Sequence, residues 1–257
     1  MLLQPTIEKL YDLRLRGMAE ALSRQLETAE ATGLSFEERF GLLVDHEWDL
    51  RQGKKVQRRL KEAKLKAKAC VEDVDYRHPR GLQREVMLEL ASCRWIRGRR
   101  NLIITGPTGV GKTWLACALS ERACREGLTA AYLRVPRLID ELSMAKADGS
   151  YLKQLRWLAS RDLLLIDDFG LSPLIGEAGG YLLEVLDDRV GNRSTLVTSQ
   201  LPVDKWHEVI DEPNVADAVL DRLLGGATRI VLKGASMRSK TTRPTADGNQ
   251  TETEKGE

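Results

Sequence analysis

Apolar positions divide the chain into a helical first part and an alternating second part. Up to about residue 70, apolar residues recur every three or four positions, which is the spacing of amphipathic helices. From residue 82 onward, short runs of Leu, Ile and Val alternate with helical stretches. Continuous apolar strands between helices predict a parallel sheet with helices on both faces.

The first part predicts a small all-α domain over residues 1–70. Ser35, with Glu38 three residues later, forms a capping box, so we expect a helix to begin there. The charged run over residues 51–68 continues the helical pattern to the end of this part.

The second part, residues 82–238, predicts five strands that alternate with helices. A linker over residues 71–81 precedes it, because Pro79 and Gly81 interrupt the helical pattern. The tail over residues 239–257 has no apolar periodicity and is expected to be disordered. The predicted strands cover residues 101–105, 130–135, 163–166, 195–199 and 228–232, and the helices include residues 82–97, 112–125 and 203–224.

A glycine-rich stretch, GPTGVGKT, occupies residues 106–113 between the first strand and a helix. In this context the backbone N–H groups of the loop can surround phosphate oxygens at the positive end of the helix. Lys112 would neutralise the β- and γ-phosphates of a nucleotide, and Thr113 would offer its hydroxyl to Mg²⁺. A chance glycine turn is the alternative. The residues expected to bind the nucleotide are Gly106, Pro107, Thr108, Gly109, Val110, Gly111, Lys112, Thr113 and Trp114.

The apolar strand LLLIDD ends in two acids, Asp167 and Asp168. The carboxyl ends of parallel strands form the edge at which open α/β folds bind ligands. We expect Asp167 to hold Mg²⁺ through water, and Asp168 to polarise the water that attacks the γ-phosphate. Without the glycine-rich loop, the two acids could be an ordinary strand exit.

Gln200 and Arg222 are further catalytic candidates. Gln200 follows the strand LVTS, and its side chain could orient the attacking water if that strand lies between the loop strand and the Asp167 strand. Otherwise Gln200 is an ordinary strand exit. Arg222 lies on an amphipathic helix and could enter the nucleotide site of a neighbouring subunit. The alternative for Arg222 is a structural salt bridge to Asp217 or Asp221.

The net charge of +2 conceals a strong asymmetry. Residues 1–50 carry ten acidic and five basic side chains, whereas residues 51–68 carry nine basic side chains and one acid, Glu62. Such basic blocks commonly meet polyanions, although a solvated helix face explains the charge alone equally well. The side chains expected to contact such a polyanion are Lys54, Lys55, Arg58, Arg59, Arg99 and Arg100.

The order of the motifs GPTGVGKT, LLLIDD, TSQLP, DRLL and LKGASMRSK resembles the AAA+ ATPases of the DnaC helicase-loader clade. Within that clade, the segments LASCRWI, LRVPRL, TSQLPVDKWHE and ADAVLDRL are similar to the IstB-like helper ATPases of bacterial insertion sequences. The resemblance covers roughly residues 2–238, nearly the whole chain.

This resemblance implies a homo-oligomer that binds DNA with ATP and Mg²⁺ and assists a DDE transposase, the IstA partner, in target selection and strand transfer. It assigns Lys112 and Thr113 to Walker A and the acids Asp167 and Asp168 to Walker B. It also places Gln200 at the sensor 1 position and Arg222 at the arginine finger.

Two features depart from the common AAA+ pattern. The second Walker B acid is Asp168 rather than a glutamate, and the short polar stretch after the last strand cannot build a helical lid. A sensor 2 role for Arg238 therefore has little support. We expect slow hydrolysis unless a partner completes the site.

Two other functions fit the same nucleotide site. One is a helicase loader that grips a replicative helicase through its helical domain, with DNA contact secondary. A small-molecule kinase is disfavoured, because no lid or second substrate motif is visible. The longest apolar runs fall far short of the roughly 20 residues of a membrane span, and the N-terminus lacks a signal pattern, so we expect a cytoplasmic protein without a membrane partner.

Overall fold

The computed structural model describes residues 3–27 and 33–237. The predicted tail and Arg238 lie outside the described residues. Among the described residues, no helix combines the length and the apolar character that a bilayer crossing requires.

The chain begins with three helices, α1 (Leu3–Asp12), α2 (Arg16–Glu27) and α3 (Phe36–Ala63). The predicted capping box is present at the start of α3, where Ser35 and Glu38 exchange side-chain-to-backbone hydrogen bonds. The first turn of α2 packs closely on α3, because a Cβ atom at Gly17 would lie 2.7 Å from the Cα atom of Glu47. The carboxylate of Glu47 accepts hydrogen bonds from the N–H groups of Gly17 (2.6 Å) and Met18 (3.2 Å) and so caps α2.

Helix α3 ends at Ala63, earlier than its charge pattern predicts, because Lys64 adopts a left-handed backbone conformation with φ of 51°. The prediction that the helix runs to residue 68 is therefore wrong. Leu65 and Ala67 instead pack against the buried core that contains Ala69. Burial of these apolar side chains explains why the chain leaves the helix here.

Five parallel strands form one sheet in the order β2-β3-β4-β1-β5. Strand β4 lies between β1 and β3, as the placement of Gln200 in the nucleotide site requires. The register pairs Thr105 with Ser199 and Arg134 with Asp167, so the carboxyl ends of four strands meet at one edge. The strands are β1 (Leu102–Thr105), β2 (Ala130–Arg134), β3 (Leu163–Phe169), β4 (Ser194–Ser199) and β5 (Thr228–Val231).

Helices cover both faces of the sheet, and alternate strand residues divide between two buried clusters, as in β1, where Ile104 joins one cluster and Ile103 the other. The first cluster contains α4, α5 and α6, and the second contains α7 to α10. The helices are α4 (Arg84–Ala91), α5 (Arg94–Arg97), α6 (Lys112–Arg125), α7 (Val135–Asp148), α8 (Tyr151–Ser160), α9 (Ala178–Asp187) and α10 (Pro213–Leu224), with 3₁₀ turns at Val71–Asp73 and Val203–Val209.

Two predicted helices are interrupted. The helix expected over residues 82–97 is split between α4 and α5 at Cys93, whose φ of 57° is left-handed. The helix expected over residues 203–224 is a 3₁₀ turn followed by α10, and α10 starts at Pro213, which cannot donate a hydrogen bond to a preceding turn. Neither difference moves a residue of the predicted nucleotide site.

Residues 71–81, expected as a linker, pack against the sheet domain. Val74 is buried in the first cluster, and Arg80 is 2% exposed. After β5, the described chain continues to residue 237 without another helix. The fold is therefore a five-stranded parallel α/β domain without a lid in its described part, preceded by helices.

Candidate nucleotide-binding site

The glycine-rich loop joins β1 to α6 at the carboxyl edge of the sheet. Gly106, Gly109 and Gly111 all have positive φ (148°, 86° and 91°), which side chains disfavour. A Cβ atom at Gly106 would also lie 2.4 Å from the carbonyl oxygen of Leu232. Helix α6 begins directly after the loop, at Lys112, so the N–H groups of its first turn point toward the space that a phosphate would fill.

Lys112 is held across the loop. Its Nζ atom donates to the carbonyl oxygens of Gly106 at 2.7 Å and Pro107 at 2.8 Å. Val110 is fully buried and anchors the loop in the core, while Trp114 lines the cleft. The lysine can therefore exchange loop carbonyls for phosphate oxygens with only a small movement of its ammonium group.

Asp167 is fully buried and lies opposite the loop. Its Oδ1 atom accepts hydrogen bonds from the hydroxyls of Thr113 (2.8 Å) and Thr198. Its Oδ2 atom accepts from the phenol of Tyr132 at 2.8 Å. Burial, and then this hydrogen bond to a carboxylate, raise the pKa of Tyr132, so the phenol remains a donor.

Asp168 points differently from Asp167. The register between β3 and β4 shifts between Ile166 and Phe169, and Asp168 has a left-handed φ of 60°. Its carboxylate lines the cleft and accepts a hydrogen bond of 2.9 Å from Nε of Arg134. The bulge thus separates the two acids, with one buried beside Thr113 and the other facing the cleft.

Gln200 follows β4 and lines the same cleft as Asp168. Its Oε1 atom accepts a hydrogen bond of 2.6 Å from the hydroxyl of Thr108 in the glycine-rich loop. The structure therefore brings Gln200 to the loop, and its sensor 1 role stays a prediction.

Arg222 does not line the cleft of its own chain. Its Nε atom lies 2.5 Å from Oδ1 of Asp187 on α9, and its Nη1 atom donates to the carbonyl of Ala218 at 3.2 Å. Asp221 is 3.9 Å away, and Asp217 lies 3.3 Å from His207. The salt-bridge partner is therefore mainly Asp187, which sequence reasoning did not consider.

The cleft between the loop and the acids has a volume of about 680 Å³, enough for a small-molecule ligand. Its far wall comes from residues that the motifs did not identify, namely Lys66, Ala67, Asp73, Asp75, Arg80, Leu171 and Met237.

Arg80 connects this far wall to the loop. Its guanidinium donates to the carbonyl oxygens of Val110 at 3.0 Å and Asp75 at 3.1 Å, whereas its buried Nε atom has no hydrogen-bond partner among the described residues. Burial lowers the pKa of Arg80. The sequence offers no signal for this residue beyond its position beside Pro79 and Gly81.

The predicted DNA contacts lie away from the cleft. Lys54, Lys55 and Arg58 are exposed on α3, and Arg59 is half-buried, with Nη2 3.9 Å from a Cβ atom placed at Gly127. Arg99 and Arg100 are exposed on the turn before β1, at the opposite edge of the sheet from the glycine-rich loop.

The two groups of basic residues approach different turns. Arg59 lies near Gly127 in the turn between α6 and β2, whereas Nη1 of Arg99 donates to the carbonyl oxygen of Gly191 at 3.0 Å, in the turn before β4. The basic half of α3 (Lys54, Lys55, Arg58 and Arg59) and the turn before β1 are thus two basic patches.

Comparison with known proteins agrees with this architecture. The family model described as IstB-like ATP binding protein matches residues 8–245. An insertion sequence ATP-binding protein of Sinorhizobium fredii, y4pL, is 49% identical over 93% of this chain and 97% of its own length.

Two solved structures share the fold at low sequence identity. Replication initiator DnaA bound to AMPPCP and single-stranded DNA aligns with a TM-score of 0.55 and 17% identity over 67% of this chain and 52% of that one. The DnaC helicase loader aligns with a TM-score of 0.54 and 19% identity over 64% of this chain and 97% of that one. These likenesses show the P-loop AAA+ fold.

Proposed function

The chain belongs to the IstB-like ATP binding proteins of insertion sequences, and we propose that it hydrolyses ATP to control an oligomer on duplex DNA that assists an IstA-like transposase. The observation that carries the proposal is the hydrogen bond of 2.8 Å between Thr113 and Asp167 below a loop spanned by Lys112. This contact joins the two halves of a nucleotide site in a chain whose relatives belong to insertion sequences.

The donor set at the acids suits Mg²⁺. The hydroxyl of Thr113 and the carboxylate of Asp167 are hard oxygen ligands, and they converge beside the N-terminus of α6. When bound, the ion withdraws negative charge from the β- and γ-phosphate oxygens. Thr198 and Tyr132 hold the carboxylate of Asp167 in place, so the side chain need not reorganise when the site fills.

Hydrolysis requires a water aligned with the γ-phosphate. Asp168 and Gln200 face the cleft from two neighbouring strands, so Gln200 can orient this water and Asp168 can accept its proton. In the structure each side chain is engaged, Asp168 with Arg134 and Gln200 with Thr108. Both contacts must break before the reaction, so we expect slow hydrolysis in the absence of a partner.

Arg222 would act on the site of a neighbouring subunit. Its side chain is about one-third exposed and its main partner, Asp187, is also at the surface. A surface salt bridge is weak, so an adjacent subunit can replace it with a stronger contact to phosphate. Arg222 would in this way contact the γ-phosphate that is bound to the neighbouring subunit.

DNA would be held through its phosphates by the basic half of α3 and the turn before β1. The sequence shows no helix-turn-helix or zinc finger that would read base edges. We therefore expect binding with little base preference, and we expect it to require ATP because only closed subunit interfaces would align the patches of several copies.

The decisive experiment measures assembly mass with ATP, ADP or no nucleotide, with and without duplex DNA. We expect oligomers that form on duplex DNA with ATP and dissociate with ADP, and no such assembly by Lys112→Ala. A strand-transfer assay with the purified transposase should show the chain directing insertion only when it can bind ATP.

The same experiment distinguishes the helicase-loader alternative. An exposed aromatic face on α3, formed by Phe36, Phe40 and Trp48, favours a protein-docking role for the helical part. Absent or ATP-independent duplex binding, together with ATP-dependent capture of a replicative helicase, would replace the transposition function with the loader function.

A further inference from the structure

Lys66 belongs to none of the sequence motifs of the sheet domain, but it lies beside Asp167, the buried acid of the nucleotide site. Its Nζ atom lies 3.7 Å from Oδ2 of Asp167, and its side chain is 48% exposed, whereas Asp167 is completely buried. It lines the nucleotide cleft together with Lys112 and Thr113. The buried carboxylate thus has a cation beside it.

The end of α3 explains how Lys66 arrives there. Once Lys64 breaks the helix, Leu65, Ala67 and Ala69 pack inward against the core. The residues between them point to the other side of the segment, where Lys66 and Lys68 are exposed. Among the ion pairs of the described residues, Asp167 is paired with Lys66, and Lys68 has no such carboxylate partner.

We propose that Lys66 is the counter-ion of Asp167 in the metal-free protein and that it competes with Mg²⁺ for this carboxylate. The inference rests on the proposed role of Asp167 in holding the metal. Thr113 and Thr198 contact Oδ1, whereas Lys66 and Tyr132 approach Oδ2, so the metal and the ammonium group would share one acid from two sides. A dication held by Asp167 would repel the ammonium group that lies 3.7 Å from the same carboxylate in a partly buried site.

The competition links the nucleotide site to the helical part of the chain. Lys66 lies three residues beyond the last residue of α3, Ala63. When the metal enters, the repulsion weakens the contact that ties this segment to the Walker B strand. The end of α3 is then held less firmly, and its basic half responds to the nucleotide state of the sheet domain.

The test compares Lys66→Met with Lys68→Met, which removes the same charge two residues away, and with Lys66→Arg, which retains it. MgCl₂ is titrated into each protein in the presence of fluorescent N-methylanthraniloyl-ADP. Because Lys66 is half exposed, we expect Lys66→Met to bind Mg²⁺ about fivefold more tightly than wild type. Lys68→Met and Lys66→Arg should bind like wild type.

Unchanged or weaker Mg²⁺ affinity in Lys66→Met would overturn the inference, and weaker affinity would identify Lys66 as a helper of metal or phosphate binding. If the wild type shows no Mg²⁺-dependent nucleotide binding, the proposed nucleotide site itself is refuted.

Two measurements without the loaded site complete the test. In EDTA and without nucleotide, Lys66→Met should unfold at a lower temperature than Lys68→Met, because Asp167 has lost its counter-ion. Hydrogen exchange over residues 60–68 should increase in wild type when Mg²⁺ and ADP are added, and should already be high in Lys66→Met. Equal unfolding temperatures and equal exchange in the two variants would contradict the proposed pairing.

Discussion

The nucleotide cleft and the basic half of α3 differ in how their charged side chains are held. In the cleft, Lys112 makes two short hydrogen bonds to the loop, and Asp167 accepts hydrogen bonds from three hydroxyls. On α3, Lys54 and Lys55 extend from an exposed helix surface. The cleft is thus organised within one chain, whereas the basic surface is solvated, and only the DNA contact proposed above would organise its side chains.

Removing Lys112 should have the largest effect in this comparison. Lys112→Ala loses a charge-assisted phosphate contact worth about 1.5–3 kcal/mol and leaves a hole at the loop, so we expect nucleotide binding to become undetectable. Fluorescence titration measures the affinity, and circular dichroism checks the fold. Lys205→Ala, an exposed lysine outside the cleft, is the control. Undiminished ATP affinity in Lys112→Ala would refute the site.

Arg222 tests whether the cleft is complete within one chain. An arginine finger can contribute roughly 10³–10⁵ in rate, so Arg222→Ala should be inactive. Mixed with Lys112→Ala, it should recover part of the ATPase rate, because some interfaces then contain an intact finger and an intact loop.

Asp187→Asn provides the matched control for this experiment, because it releases Arg222 without removing it. It should remain active if the arginine acts in trans. Absence of recovery at every mixing ratio, with Asp187→Asn as impaired as Arg222→Ala, would assign the arginine to a structural salt bridge.

The two acids should separate binding from hydrolysis. Asp168→Asn should bind ATP and Mg²⁺ but hydrolyse ATP poorly and trap the DNA-bound assembly, because only the cleft-facing acid can act on water. Asp167→Asn should weaken Mg²⁺ binding itself. ATP turnover and Mg²⁺ titration measure the two effects, with Asp188→Asn as an exposed control. Wild-type turnover by both variants would mean that these acids are not the Walker B pair.

The basic half of α3 should show a smaller and salt-dependent effect. Changing Lys54, Lys55, Arg58 and Arg59 to Ala should lower duplex affinity and flatten the salt slope by about 0.9 for each lost phosphate contact. A variant that exchanges Lys and Arg at the same four positions keeps the charge and should bind like wild type. If the alanine variant keeps the wild-type affinity and slope, this surface is only solvated.

The smallest effect is expected at Glu47, whose carboxylate is held in place by hydrogen bonds within the helical part. Burial alone would raise its pKa, but hydrogen bonds from Arg51 and from the N–H groups of Met18 and Gly17 outweigh burial and lower it. A lowered pKa stabilises the fold above the unfolded pKa of about 4.3, and this stability is lost as the pH falls through the folded value.

We therefore expect Glu47→Gln to cost about 1 kcal/mol at pH 7 and much less at pH 3, as measured by urea unfolding. Exposed Asp49→Asn is the control, with little change at either pH. Equal losses at both pH values would mean that the carboxylate charge is not what stabilises α2.

The sequence predicted the placement of the residues that depend on local pattern, whereas their roles in nucleotide binding stay predictions. The loop glycines, the strand before them and the helix after them are consecutive in the chain, and the apolar strand before Asp167 predicts which edge of the sheet the acid occupies. The strand order needed for Gln200 could be stated only as a condition, because pairing between distant strands leaves no local signal.

What the sequence missed are contacts between distant segments. Lys66 and Asp167 are 101 residues apart along the chain, and Arg222 meets Asp187 at a separation of 35 residues. The break of α3 at Lys64 also escaped prediction, because a continuous helical charge pattern does not show that Leu65 packs against the core and draws the chain away from the helix axis.

The residues after β5 have a consequence for engineering the protein. A Cβ atom at Gly106 would meet Leu232, and one at Gly109 would lie 2.0 Å from Oγ of Ser236, while the N–H of Met237 donates to the carbonyl of Gly109. Residues 232–237 thus form the outer wall of the glycine-rich loop. A reporter protein fused within this stretch would distort the loop as directly as a mutation in it, so the attachment point must lie beyond residue 237.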